Sequence, residues 1–462
     1  MKKHKIMNAL QHFLMVLTLL FGVLALFVRR NYRMNKSKIL NNLQFSLLML
    51  SLVFTITASF MPFSIGVFLG LSAVCQTGYA ICLFAAKEER PKWLPVSVSA
   101  FACVSDISTL ILIIGRHFGL YVYISCIDLI LIAFVGIYSM FRKTKPKAAY
   151  GIITAVCLIF TAFGAFSHIT YGRSIMSTTA EWVLKSNKVY DEEVASVFQE
   201  LTDAGETSFS AAPSLFTCSL SESEYDGMNV VYVNQESSYD QVVFYIHGGY
   251  YVYQMGSEQM TGMNRLAEMT NSMIVMPVYP LAPFHTVENS FDTMIALYQQ
   301  ICADNADKKI TLMGDSAGGG YSLALAEGLA ERELDQPDEL VLLSPWVDVT
   351  MSNPDISSYN DTEPILTVTM GQTAGKAWAG DLPMNDWRVS PIYGDLSELK
   401  NVTIFVGTRE LFYPDDTLLY EKLKGNPNVT LYVGKGQNHV YPVYPTIEGR
   451  IALEQIADIV QR

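Results

Sequence analysis

The sequence predicts an all-α membrane bundle of six transmembrane helices, followed by an α/β domain with a mostly parallel sheet. Three observations predict this fold class. The chain of 462 residues is 50% hydrophobic and only 16% charged, whereas a soluble domain carries about 25% charged residues. Its charge is divided, because residues 1–171 have a net charge of +12 and residues 172–462 a net charge of −24. Short apolar runs also alternate with helical stretches in the second half.

Six stretches in residues 1–171 are long and apolar enough to cross a bilayer, which takes roughly 20 helical residues. They lie near residues 8–28, 39–60, 63–86, 93–115, 120–141 and 148–171. Basic and polar residues separate them, and acidic residues are almost absent, a pattern that favours membrane spans over the core of a soluble protein. We therefore expect an integral, multi-pass membrane protein with the lipid bilayer as a partner.

The distribution of lysine and arginine predicts the orientation of the spans, because these residues are retained on the cytoplasmic side. The loops after the first, third and fifth spans carry twelve of them, and the opposite side carries five. The second half of the chain is therefore expected to be extracytoplasmic, at the plasma membrane. The basic N-terminus, with Lys2, Lys3 and Lys5, favours the opposite orientation.

Two acidic residues, Asp106 and Asp128, fall inside the fourth and fifth predicted spans. Each lies eleven residues from His117, so a tight hairpin would bring both to the same depth in the bilayer. An ionised carboxylate at that depth is costly. Two alternatives follow: a polar or proton site within the bundle, or hydrogen bonds that pack the helices together.

Residues 172–239 are expected to form a linker or cap region, with an amphipathic helix around 191–203 that begins on acidic residues. Residues 240–462 should form the α/β domain. Its apolar runs predict strands at 242–246, 273–278, 310–313, 340–343, 402–406 and 429–433, with helices at 286–303 and 317–331. Such alternation is typical of a mostly parallel sheet that is covered on both faces.

A G-D-S-A-G sequence at 314–318 lies directly between a predicted strand and a predicted helix. A sharp turn at such a junction exposes the serine, so Ser316 is a candidate nucleophile. The start of the helix would supply the N–H of Ala317 and a positive dipole end where negative charge develops. An ordinary glycine turn is the alternative, but this placement favours the nucleophile.

A second glycine motif, H-G-G-Y-Y at 247–251, follows the first predicted strand of the α/β domain. We expect the N–H groups of Gly248 and Gly249 to bind an oxyanion together with that of Ala317. His247 precedes the serine and lies in this loop, so it should order the loop instead of acting as the base.

A general base and an acid are expected after the nucleophile, in that part of the chain where loops leave the last strands. His439 follows the last predicted strand and is the candidate base, whereas His285 is expected to be structural. Glu410, four residues beyond the strand 402–406, is the favoured acid because it is within reach of a histidine at the sheet edge. Asp415 is the alternative acid, although with Asp416 it has the position of a helix cap.

These motifs resemble those of the hormone-sensitive-lipase-like branch of the α/β-hydrolase family over residues 240–445. The resemblance also includes Y-P-L-A-P at 279–283, L-S-P-W-V-D at 343–348 and S-P at 390–391. It implies an α/β-hydrolase fold and carboxylester hydrolysis through Ser316 and His439, with the acid at the position of Glu410. Family members more often have Asp there, and the resemblance does not include the six predicted spans.

Together these features predict a membrane-anchored serine hydrolase: a carboxylesterase, lipase or deacylase that forms an acyl-enzyme on Ser316. The expected partner is an ester or acylated substrate, whether lipid, glycan or small molecule, and no metal or organic cofactor is required. The acidic second half argues against nucleic-acid binding. The alternative function is a transporter or lipid-handling membrane protein with a fused, cargo-processing hydrolase, which Asp106 and Asp128 support. A third is an inactive hydrolase fold used for binding.

Overall fold

The computed structural model describes residues 36–60, 65–85, 128–130, 132–135, 137, 147–206 and 208–462. The chain divides into two compact units, residues 1–170 and 171–462. Three long helices lie in the described residues between 36 and 171. They are α1 (Lys36–Phe60), α2 (Ile65–Ala85) and α3 (Lys147–Tyr171).

The second, third and sixth predicted spans coincide with α1, α2 and α3. The spans predicted at 8–28 and 93–115 lie outside the described residues, and 120–141 is described only at helical residues between 128 and 137. Among the described residues, one helix (Gly151–Tyr171) is long and apolar enough to cross a membrane, and Leu43–Thr57 is a shorter apolar helix. Judged by length and composition alone, the described helices therefore include fewer candidate spans than the six predicted from the sequence.

Buried hydroxyl groups join α1 to α2 within the first unit. The Ser72 Oγ atom lies 2.8 Å from both Ser51 Oγ and Thr55 Oγ1. Asp128 is helical and fully buried, whereas Asp106 lies outside the described residues. The expectation that these two aspartates lie at the same depth therefore stays a prediction.

An eight-stranded sheet forms the centre of the second unit, in the order β1-β2-β4-β3-β5-β6-β7-β8. Strands β3 to β8 pair in parallel, whereas β1 and β2 are antiparallel to their neighbours. The strands are β1 (Leu220–Tyr225), β2 (Met228–Val233), β3 (Gln241–Ile246), β4 (Ser272–Pro277), β5 (Lys309–Asp315), β6 (Glu339–Leu343), β7 (Val402–Gly407) and β8 (Thr430–Gly434). The six strands predicted from apolar runs are all present, and the mostly parallel sheet is confirmed.

Helices cover both faces of the sheet, as the continuous apolar runs in its strands require. Alternate residues of β3 face opposite layers: Phe244 packs with α7 and α8, and Tyr245 packs with α6 and α11. The helices of this unit are α4 (Ile175–Lys185), α5 (Val194–Ala204), α6 (Ser257–Thr270), α7 (Phe291–Asp304), α8 (Ser316–Glu331), α9 (Val368–Ala379), α10 (Tyr413–Leu423) and α11 (Ile447–Val460).

The hairpin β1–β2 lies in residues 172–239, where the sequence analysis expected a linker and identified no strand. Asp226 and Gly227 form its turn, and both have positive φ, 49° and 79°. A two-residue Asp-Gly turn is a strong hairpin signal because its backbone twist matches that of the flanking strands. That signal could have predicted the hairpin.

The carboxyl ends of the parallel strands meet at one edge of the sheet, where ligand sites form in folds of this kind. Ser316 follows β5, Glu410 lies three residues after β7, and His439 follows β8. The loop after β3 begins at His247 at this same edge. The topology therefore brings residues from four loops to one place.

Candidate active site

Ser316 is the first residue of α8 and has a φ of +52°, a backbone conformation that is unusual for a residue with a side chain. Close packing surrounds it, since a Cβ added to Gly318 would overlap the carbonyl oxygen of Ile246. The glycines on either side of the turn therefore permit a sharp change from strand to helix. Ser316 is 7% exposed and lines a cavity.

Two hydrogen bonds connect Ser316, His439 and Glu410 in series. Nε2 of His439 lies 2.8 Å from Oγ of Ser316, and its Nδ1 lies 2.6 Å from Oε2 of Glu410. Glu410 is fully buried, and its other oxygen accepts a hydrogen bond of 2.9 Å from the hydroxyl of Ser344. In this geometry His439 can take a proton from Ser316, while Glu410 orients the imidazole and stabilises its charged form.

The pKa of His439 lies above its ordinary value of 6.5. Burial lowers this pKa, but the hydrogen bond and negative charge of Glu410, together with the charges of Glu363 and Asp315, outweigh burial. Glu363 is buried, and its carboxylate accepts hydrogen bonds from the backbone N–H groups of Ile365, Leu366 and Leu411. The sequence analysis did not identify Glu363.

The carboxylate of the alternative acid, Asp415, has a different partner: its Oδ1 accepts a hydrogen bond of 2.7 Å from Asn353. Burial raises its pKa to about 6. The expectation that Asp415 and Asp416 cap the next helix is wrong, because Phe412 is the N-cap of α10 and both aspartates lie within its first turn. Glu410, and not Asp415, contacts His439.

One expected oxyanion donor in the loop after β3, the N–H of Gly248, already has an acceptor. The N–H of Gly248 donates a 2.9 Å hydrogen bond to Oδ1 of Asp315, so it is not free to bind an oxyanion as expected. Gly249 and Tyr250 line the cavity beside Ser316. Among the described residues no acceptor is present for the N–H groups of Gly249, Tyr250 or Ala317. These three amides can therefore serve as donors.

Tyr250 was missed because its contribution comes from the backbone. Its φ is +56°, a conformation that glycine adopts readily and tyrosine rarely does. His247 orders the loop as expected: its ring stacks on that of Tyr279, and the Tyr279 hydroxyl donates to the His247 carbonyl oxygen at 2.8 Å. The other expected structural histidine, His285, pairs with Glu206 at 2.6 Å.

A cavity of about 340 Å³ opens beside Ser316 and His439. Apolar side chains form much of its wall, including Ile365, Leu366 and Met370. Asn187 and Val189, which follow α4, also line it, so residues 172–239 contribute to this cavity. Within the described ranges, no three His, Cys, Asp or Glu side chains are grouped so that they could hold a metal ion.

Comparisons with known proteins identify relatives of the second unit. A family profile for the alpha/beta hydrolase fold matches residues 243–443. An esterase of Acinetobacter venetianus is 28% identical over 211 residues, which are 45% of this chain and 70% of the relative. A triacylglycerol lipase of Mycobacterium tuberculosis is 30% identical over 185 residues, which are 40% of this chain and 38% of the relative.

The α/β-hydrolase fold is also found in solved structures that align with this chain. The crystal structure of EstE7, an HSL homologue from a metagenome library, aligns with a TM-score of 0.51 and 25% identity. The alignment covers 62% of this chain and 97% of EstE7. The family profile begins at residue 243, so it does not extend into the first unit.

Proposed function

Residues 243–443 belong to the alpha/beta hydrolase fold family, and on this premise we propose that the chain is a membrane-anchored serine hydrolase of carboxylic esters. The series of hydrogen bonds from Ser316 through His439 to Glu410 is the observation that supports it. Related esterases and lipases support the reaction class.

The proposed reaction has two half-reactions. His439 Nε2 accepts the proton of the Ser316 hydroxyl while Oγ attacks the ester carbonyl carbon. The carbonyl oxygen becomes an oxyanion, which the N–H groups of Gly249, Tyr250 and Ala317 stabilise. The imidazolium then donates its proton to the alcohol as the ester bond breaks, leaving an acyl group on Ser316. Each amide donor contributes about 3 kcal/mol to lowering the barrier.

Water completes the cycle. His439 accepts a proton from a water molecule whose oxygen attacks the acyl-enzyme, and the returning proton restores the Ser316 hydroxyl as the acid departs. Glu410 stays ionised throughout and holds the imidazole in the tautomer that leaves Nε2 free to accept.

Membrane anchoring in this proposal depends on the first unit. The helix Gly151–Tyr171 is long and apolar enough to span a bilayer, and the net charge of +12 on residues 1–171 suits six spans with cytoplasmic basic loops. The hydrolase would then act outside the cytoplasm on ester or acylated lipids, glycans or small molecules. Protease treatment of intact cells tests this: cleavage of the hydrolase unit without lysis is expected, and protection until lysis would contradict it.

The hydrolase assignment is tested with the full-length protein in detergent and a short-chain aryl ester. Ser316→Ala should abolish hydrolysis and labelling by a fluorophosphonate, while Ser397→Ala, at an exposed position of the same unit, should keep both. Hydrolysis retained in Ser316→Ala would overturn the assignment of the nucleophile. Absence of hydrolysis and labelling in the unsubstituted protein would overturn the proposed function.

A further inference from the structure

A buried ion-pair network lies beside the proposed triad and joins residues that precede the match of the family profile to a residue inside it. Arg173, Glu181 and Arg409 form its centre. The side chain of Arg173 is 0% exposed and that of Glu181 is 3% exposed. Charged side chains are rarely buried so completely unless they are paired.

Glu181 joins the two arginines through both of its carboxylate oxygens. Its Oε2 accepts a hydrogen bond of 2.5 Å from Nη2 of Arg173 and one of 2.9 Å from Nε of Arg409. Its Oε1 accepts a further bond of 3.0 Å from Nη2 of Arg409. Arg409 therefore binds the carboxylate in a bidentate manner, with two parallel hydrogen bonds, the arrangement that a planar guanidinium favours.

The two arginines belong to or contact the two loops that carry the acid and the base. Arg409 immediately precedes Glu410 in the chain. Nη1 of Arg173 donates to the carbonyl oxygen of Gly436 at 2.8 Å and to Oδ1 of Asn438 at 3.2 Å, and Asn438 immediately precedes His439. One carboxylate thus connects the loop after β7 to the loop after β8.

Tyr171, the last residue of α3, lies against the same network. The guanidinium carbons of Arg173 and Arg409 lie 4.8 and 4.9 Å from the centre of its ring, within the range of cation–π interactions. Gly436 has a φ of +71°, and an added Cβ there would overlap the carbonyl oxygen of Tyr171. Glycine at 436 therefore permits the backbone of Tyr171 to approach the loop of His439.

The carboxyl group of Glu181 is in the charged form that its pairing with two arginines requires. Burial alone would raise the pKa of Glu181, but hydrogen bonds from Arg409 and Lys185 and the charge of Arg173 hold it below its usual value. Glu181 is therefore ionised at neutral pH and attracts both arginines. Lys185 also pairs with Glu181 at 2.9 Å, but its side chain is 42% exposed.

We propose that Glu181 is a positioning residue that holds the loops of Glu410 and His439 in register. The proposal rests on the proposed function, because the register matters only if these two side chains act together. It makes the segment that follows the apolar helix part of the hydrolase machinery, although that segment lies some sixty residues before the family match begins. Small displacements of reacting groups lower the rate more than they lower substrate binding.

The test uses full-length variants in detergent, with kcat, KM and the rate of fluorophosphonate labelling measured per labelled active site. Glu181→Gln keeps the side-chain volume but removes the charge that attracts both arginines. We expect kcat and the labelling rate to fall at least tenfold while KM changes less than threefold. Glu192→Gln, the same change at an exposed position outside the network, is the matched control, and it should stay within twofold of the unsubstituted protein.

Arg409→Lys provides a second measurement if Glu181→Gln does not fold. It keeps the charge but removes the two parallel bonds to Glu181, and it should lower kcat severalfold with KM unchanged. Wild-type kcat per labelled site in the folded variants would overturn the proposal, and so would an equal fall in Glu192→Gln. An unsubstituted protein that neither hydrolyses esters nor becomes labelled would overturn the proposed function, and this inference with it.

Discussion

The backbone N–H of Gly248 donates a hydrogen bond of 2.9 Å to Oδ1 of Asp315, the residue directly before the proposed nucleophile. The same oxygen accepts the hydroxyl of Tyr245 at 2.5 Å, and Nε2 of Gln259 lies within 3.0 Å of both carboxylate oxygens. The buried side chain of Asp315 therefore connects the loop after β3 to the turn that carries Ser316.

Replacing this carboxylate should misplace the oxyanion donors. In Asp315→Asn an NH₂ group replaces one of the two oxygens, so either the N–H of Gly248 loses its acceptor or the new NH₂ group faces the NH₂ group of Gln259, a cost of about 2 kcal/mol. We expect kcat for an aryl ester to fall by about tenfold or more while KM changes little. Asp335→Asn, at an exposed position, is the control. An unchanged kcat in Asp315→Asn would show that the loop is held without this carboxylate.

The choice between Glu410 and Asp415 as the acid can be decided by two isosteric changes. Glu410→Gln removes the charge 2.6 Å from His439 Nδ1 and can present its NH₂ group there, so kcat should fall by about 10³-fold or more. Asp415→Asn alters a hydrogen bond to Asn353 and should leave kcat within about threefold. Steady-state kinetics of the two variants check this, and the reverse ranking would assign the acid to Asp415.

The parallel part of the fold was predictable because its strands are buried on both faces. Such strands, for example β5 and β7, appear in the sequence as short apolar runs without alternation. Strand β1 lacks that signal: its sequence is L-S-E-S-E-Y, it lies at the edge of the sheet, and its middle residues are exposed. A periodicity search therefore misses it, and only the Asp226-Gly227 turn indicates the hairpin.

The site was predictable where the role belongs to a side chain in a fixed chain order. Ser316, Glu410 and His439 were identified from motifs and from the loops that follow strands. The donors were not all predictable, because the direction of an N–H depends on φ and ψ, and the sequence does not reveal that Asp315 binds Gly248 or that Tyr250 has a positive φ. The pairing of Glu181 with Arg409 spans 228 residues, and only the folded chain brings them together.

The pH dependence of the reaction should report the environment of His439. Only the neutral imidazole can accept the proton of Ser316, and the pKa of His439 lies above its ordinary value of 6.5. Activity should therefore fall as the pH drops through that raised pKa, which places the acidic limb of kcat/KM above pH 6.5. A limb at or below pH 6.5 would mean that the pKa of His439 is not raised in the free enzyme.

Removing the charge of Glu363 should shift the acidic limb of the kcat/KM profile to lower pH. Its negative charge raises the pKa of His439, so Glu363→Gln should lower that pKa and extend activity to lower pH. Glu236→Gln, at an exposed position, controls for a general loss of negative charge. A profile that does not move in Glu363→Gln, measured as kcat/KM against pH, would mean that Glu363 does not act on His439 through its charge.

Glu327 on α8 should make the stability of the hydrolase unit depend on pH. It is 4% exposed, and neither carboxylate oxygen has a hydrogen-bond partner among the described residues. Burial and, less strongly, the charge of Asp395 raise its pKa from 4.5 to about 9. Between these two values the folded protein binds more protons than the unfolded one, so the free energy of unfolding decreases as the pH rises.

The change Glu327→Gln removes this titration. Thermal unfolding of the full-length protein, followed by tryptophan fluorescence in detergent, should show the unsubstituted protein losing stability between pH 5 and pH 9 more steeply than Glu327→Gln. Relative to the unsubstituted protein, the variant should be more stable near pH 8 than near pH 5, because each tenfold difference in proton affinity between the folded and unfolded states contributes up to about 1.4 kcal/mol. Glu331→Gln, one turn later and exposed, should follow the unsubstituted protein. Parallel curves for Glu327→Gln and the unsubstituted protein would mean that the Glu327 carboxyl ionises alike in the folded and unfolded states.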